Sequence, residues 1–147
     1  MVNGALLASA DEFRHVDGSD RHDHLRGEMT LDLFAGVAVS DLPRAVRWFD
    51  RLFGEVGSFE PNATERVWTL AEHCHLYAEL QPEHAGHAMV TMFVDDFEGF
   101  LESAAGRGVD PQTRETYDNG VRKAIYRDPD GNEIGVGGPP GDASAAG

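Results

Sequence analysis

Leu31 to Val39 is a run rich in apolar and β-branched residues that predicts a strand, with Phe34, Gly36 and Ala38 on one face and Ala35, Val37 and Val39 on the other. From Leu42 the period lengthens. Leu42, Ala45, Val46 and Phe49 fall on one stripe of a helix that buries a single face. Asp41 stands where an N-cap belongs, Pro43 sits in the first turn where its missing amide costs nothing, and Gly54 closes the helix. The pattern returns in AMVTMFVDDFEGFLESAAGRG: at an offset of 96 − 41 = 55, Asp96 replaces Asp41, and Phe97, Phe100, Leu101 and Ala104 overlie the first stripe. The domain is two copies of one unit.

Between the helices, Glu60-Pro61-Asn62 reads as a turn, Arg66 to Leu70 as a strand and His73 to Gln81 as another, so the first unit reads β-α-β-β-β. The second opens at His87 or Ala88, runs to Val94 and caps its helix at Asp95 or Asp96. It continues with a weak strand near Gln112 to Thr116, a stronger one after Gly120, the tight turn Asp128-Pro129-Asp130-Gly131-Asn132 and a last strand from Glu133 to Val136. Residues 1–28 show no sustained apolar period and read as a mobile tail carrying His15, His22 and His24; GGPPGDASAAG, from Gly137, reads as a second tail. The expected organisation is a tail over 1–28, one domain over 29–138 with modules at about 30–82 and 87–138, and a tail over 139–147. Met29 is a candidate natural start.

At 147 residues the chain is long enough for one independent core. Its formal charge of −14, from 26 acidic and 12 basic residues, argues against nucleic acid and anionic lipid as partners, since both would be repelled. A solvated acidic surface is the ordinary reading, and a cationic small molecule or a bound metal is the partner it would favour. Cys74 is the only cysteine, so no intrachain disulfide can form. No apolar run approaches the length of a membrane helix, no basic stretch precedes Ala5-Leu6-Leu7-Ala8, and the expected location is cytoplasmic.

The Val39-Ser40-Asp41 strand end, the helix carrying Trp48-Phe49 and ending Leu52-Phe53-Gly54, the Val94-Asp95-Asp96 echo and the Asp-Pro-Asp-Gly-Asn turn together resemble the vicinal oxygen chelate superfamily of glyoxalases, extradiol dioxygenases and bleomycin-resistance proteins. The resemblance covers about residues 30 to 138. It implies an α+β fold of two tandem βαβββ modules forming a cupped, mostly antiparallel sheet cleft, and a homodimer whose two chains line it. The metal-binding members carry ligands at four points, which here fall on Phe34, Glu79, Met89 and Gly135. Only Glu79 offers a hard donor.

In His73-Cys74-His75-Leu76-Tyr77-Ala78-Glu79, alternation puts His73, His75, Tyr77 and Glu79 on one face, which is the cleft face if Glu79 follows the resemblance. Phe34, Met89 and Phe93 would line the same cleft, joined by Trp68 if its strand has the matching parity. The set reads as a pocket wall for a flat or aliphatic ligand bearing positive charge, with Glu79 and Glu133 as acidic contributors. Three readings follow. The first is a metal-independent binding protein without a cofactor, sequestering a cationic or aromatic compound. The second is a lyase, isomerase or dioxygenase that holds a divalent metal ion with Glu79 and His73 or His75. The third is an interaction module with a vestigial cleft. His84 and His87 fall in the inter-module turn and are expected to be exposed; Arg122 and Lys123 are expected to pair with surface acids.

Overall fold

The computed structural model describes residues 29–141. The tail expected over 1–28, with its three histidines, and residues 142–147 lie outside them. The first module runs β1 (Leu33–Val39), α1 (Leu42–Phe53), β2 (Gly57–Asn62), β3 (Glu65–Ala71) and β4 (Cys74–Leu80). A single 3-10 turn at Pro82–His84 leads to the second: β5 (Met89–Phe93), α2 (Phe97–Gly106), β6 (Thr113–Thr116), β7 (Arg122–Arg127) and β8 (Glu133–Gly138).

Local signals set the helices. The Asp41 carboxylate accepts the Arg44 amide at 3.0 Å, and Asp96 accepts that of Gly99 at 3.0 Å, so each copy of the unit begins with the same cap. α1 buries Leu42, Ala45, Phe49 and Leu52; α2 buries Phe97, Leu101 and Ala104.

Two four-stranded sheets result, in the orders β1-β4-β3-β2 and β5-β8-β7-β6. The outer strand that opens each module pairs in parallel with the strand that closes it, and the other pairings are antiparallel. The fold is thus the expected α+β arrangement of two βαβββ modules, and neither sheet closes on itself. Two boundaries differ from expectation. Glu60-Pro61-Asn62 lies within β2 rather than forming a turn: β2 is an edge strand whose register shifts between Phe59 and Asn62, and such a position tolerates proline. Gly137 and Gly138 belong to β8, held by the Val94 amide on the Gly137 carbonyl at 2.8 Å and by pairing with β7.

The helix-side faces of both sheets merge into one core that includes Val37, Phe49, Trp68, Phe97, Tyr126 and Ile134. Polar links cross between the modules around it. The Asn132 amide donates to the Ala38 carbonyl at 2.9 Å, the Ser40 amide donates to Asp130 at 3.0 Å, and Arg107 donates to the carbonyls of Arg51 and Leu52 at the C-terminal end of α1. Gly131, at φ 95°, allows the turn that carries Asp130 and Asn132 into place. Packing helix faces together leaves each sheet its opposite face, here called the cup face. Among the described residues no helix is long and apolar enough to cross a membrane.

Candidate ligand-binding site

Strand pairing arranges the first cup face in cross-strand rows. Asp32 lies opposite His73 at the strand ends; Phe34 pairs with His75 and Thr69; Gly36 with Tyr77 and Val67; Ala38 with Glu79 and Glu65. The Phe34 and His75 rings stack, with centroids 4.4 Å apart and planes at 20°. The Tyr77 ring lies across Gly36, where a Cβ would come within 2.7 Å of it, so this strand position must be glycine for the ring to rest there.

Asp32, which the sequence reading missed, organises the histidines. Its carboxylate lies 2.6 Å from His73 Nδ1 and 3.6 Å from His75 Nε2, while His75 Nδ1 is 3.2 Å from the Thr69 hydroxyl. Burial pushes the His75 pKa down, and the neighbouring Asp32 opposes that shift. Nothing local in the sequence marks Asp32; only the β1–β4 register brings it to His73. Glu65 was missed as well. It is fully buried, and burial raises its pKa, as does the nearby Glu79, against the lowering effect of the Asn62 hydrogen bond.

Five of the expected residues lie on the first sheet's cup side, Phe34, His75, Tyr77 and Glu79 within it and His73 at its end; Trp68 does not join them. β3 pairs Trp68 with Leu76, which faces α1; the indole is buried against Phe49 and Phe53 and donates to Asp50 at 2.9 Å. Its parity is the opposite of the one the cleft requires. Met89 and Phe93 lie on the other cup face, 74% and 64% exposed, beside a floor of Gly135 and Gly137. The Phe93 ring lies over Gly137, and the Thr91 and Lys123 side chains lie over Gly135. Glu133, in the Met89 row, pairs with Arg127 at 3.3 Å. His84 and His87 are exposed, and Arg122 pairs with Glu98 at 2.9 Å. A surface hollow of about 670 Å³ beside Pro43, Val46 and Leu80 includes none of the expected residues.

The register also relates the two modules row by row. Met89 pairs with Glu133, and Gly135 is one row further on; in the first module Phe34 pairs with His75, and the residue one row further on is Tyr77. Tyr77 therefore matches Gly135, and Glu79 lies a further row away. Four residues along a strand separate His75 from Glu79, about 13 Å, too far for both to reach one ion. Phenylalanine, methionine and glycine offer no side-chain donor suited to a hard divalent cation, which needs several carboxylate, imidazole or carbonyl ligands, and Glu79 alone does not supply them. Among the described residues, no group of three or more His, Cys, Asp and Glu side chains could hold a metal ion.

Two repeated βαβββ units, joined back to back by their helices with a cup face left on each sheet, define a glyoxalase-like fold. The profile of the Glyoxalase/Bleomycin resistance protein/Dioxygenase superfamily matches residues 23–136, and the chain belongs to that superfamily. It is 51% identical to a glyoxalase/bleomycin resistance protein from Catenulispora acidiphila DSM 44928, whose crystal structure superposes with a TM-score of 0.72 over 76% of this chain and 100% of that one. Two more distant structures share the fold. One is a bleomycin-binding protein complexed with bleomycin, with 17% identity and a TM-score of 0.62 over 75% of this chain and 99% of that one. The other is TnmS3, an antibiotic-binding protein from Streptomyces sp. CB03234, with 23% identity and a TM-score of 0.59 over 76% and 97%. No curated protein matches the sequence significantly.

Proposed function

We propose that the protein is a metal-independent, cytoplasmic small-molecule-binding protein that sequesters a cationic or aromatic compound, working as a homodimer. The observation that carries this reading is the chemistry of the cup faces. Where metal-binding relatives need donors, this chain has Phe34 stacked on His75 and an exposed Met89, with an exposed Phe93 two rows from Met89. Such a surface suits dispersion and stacking rather than metal coordination. The net charge of −14 favours a positively charged ligand through its long-range field. A dimer would cover the apolar side chains that β1 and β5, both edge strands, leave exposed at Leu33, Met89 and Phe93. The bleomycin-binding and antibiotic-binding proteins that share the fold make binding without chemistry a reasonable use of the scaffold, although fold alone assigns none.

The test is calorimetric titration with bleomycin and with naphthylmethanol, a neutral aromatic probe, alongside Zn²⁺, Ni²⁺, Mn²⁺ and Fe²⁺. At least one organic probe should bind, and the metals should give no stoichiometric heat. The double variant Phe34→Ala/Met89→Ala should weaken binding about tenfold or more, on the scale of about 1.4 kcal/mol per decade, with the dimer mass by light scattering unchanged. Unchanged affinity in that variant would falsify the reading, and stoichiometric metal binding would remove its metal-independent half.

A further inference from the structure

Glu65 and Glu79 face each other across β3 and β4 on the first cup face. Like charges directly opposite in a sheet repel, and the sheet gives neither a counter-ion: among the described residues no Lys or Arg pairs with them, and the neighbouring Arg66 belongs to the other face, where it binds Glu60 at 2.9 Å. Each carboxylate is half satisfied. Asn62 Nδ2 donates to Glu65 Oε1 at 2.9 Å, and Gln81 Nε2 donates to Glu79 Oε2 at 2.8 Å. The second oxygen of Glu65 is fully enclosed and accepts no hydrogen bond. A buried carboxylate oxygen without a donor is costly and does nothing for the fold.

We infer that Glu65 and Glu79 form a subsite for an alkylammonium group of the bound compound, with Glu65 as the enclosed counter-ion and Glu79 at the entrance. The inference rests on the cup face being the binding site, and it adds to that reading the residues that select for charge. The donor count favours an ammonium over a metal. The free oxygen of Glu79 can accept from an R–NH₃⁺ head, with the enclosed charge of Glu65 behind it, whereas a calcium or magnesium ion would need about six oxygens. The Tyr77 ring, in the adjacent row, offers apolar surface to the carbon chain that carries the charge.

The test compares naphthylmethylamine with naphthylmethanol, two probes that differ only in an ammonium against a hydroxyl. Calorimetry on the full chain at neutral pH should show the amine binding about tenfold tighter or more. Glu65→Gln and, separately, the partly exposed Glu79→Gln should each collapse that preference, bringing the two probes to equal affinity. Glu65→Gln should melt no lower than the wild type, which separates a lost counter-ion from a lost structural contact. Equal affinity of the wild type for both probes overturns the ammonium subsite and leaves the cup as an aromatic site. A preference that survives both substitutions overturns the assignment to these two residues. Failure of both probes to bind overturns the subsite together with the binding reading beneath it.

Discussion

The two modules share one topology and one helix-capping scheme, and their cup faces have almost nothing in common. In the first, Phe34 and His75 stack, Tyr77 covers Gly36, and Glu65 and Val67 are fully buried. In the second, glycines replace the central side chains of β8, and Met89 and Phe93 stand exposed beside them. The helix faces of both modules must fill one shared core, so packing holds their shapes alike. The cup faces carry no such obligation. A repeated unit can therefore keep its fold through one face and acquire different chemistry on each copy of the other.

The contrast between faces is broken most directly by truncating one large side chain on each. Trp68→Ala, on the helix side, should cost about 3–5 kcal/mol in denaturant unfolding, whereas Phe93→Ala should cost the isolated fold less than about 0.5 kcal/mol. Equal losses would mean that the two faces are not distinguished as described.

Adding a methyl group to the glycine in the equivalent row of each module, Gly36 in one and Gly135 in the other, sharpens the contrast between the cups. Gly36→Ala drives a Cβ into the Tyr77 ring and should cost about 1–3 kcal/mol. At Gly135 the nearest atoms are the ends of the flexible Lys123 and Thr91 side chains, which can move, so Gly135→Ala should cost less in thermal melts.

Glu65 gives the first module a pH signature. Its folded pKa is raised, so between the ordinary carboxylate value and that raised value the native state holds more protons than the unfolded chain, and stability falls as pH rises through this window. Glu65→Gln should remove that fall and stabilise the neutral-pH protein by about 1 kcal/mol, read from unfolding midpoints across a pH series. A variant whose pH profile matches the wild type would separate the window from Glu65.

The smallest effect belongs to the second module. Burial pushes Tyr126 up to about 12, and its enclosed hydroxyl has no hydrogen-bond partner among the described residues. Tyr126→Phe should then change stability by no more than about 0.5 kcal/mol, or raise it slightly; a loss of more than about 1 kcal/mol would show that the hydroxyl does find a partner.

Local pattern made the helices, their caps, the repeat and the alternation of β4 legible, because each depends on residues a few positions apart. His73, His75, Tyr77 and Glu79 could be assigned to one face for that reason. Assigning Trp68 required knowing which residue of β4 it lies opposite; its aromatic character points more often to core than to pocket and does not give the parity of its strand. Pro61 read as a turn because its tolerance depends on β2 being an edge strand, which is a property of the whole sheet.

The sequence by itself determined where its helices start and stop, which of their faces are apolar and that one unit occurs twice, since helix caps and helical periods are written in neighbouring residues. Tertiary structure alone decided the rows. The β1–β4 register joined Asp32 to His73 and made Tyr77 the row equivalent of Gly135, and the β3–β4 register placed the buried Glu65 against Glu79. Register is fixed by the simultaneous packing of four strands against a helix and by long-range hydrogen bonds such as that from Asn132 to Ala38, and no local window of the chain contains both partners.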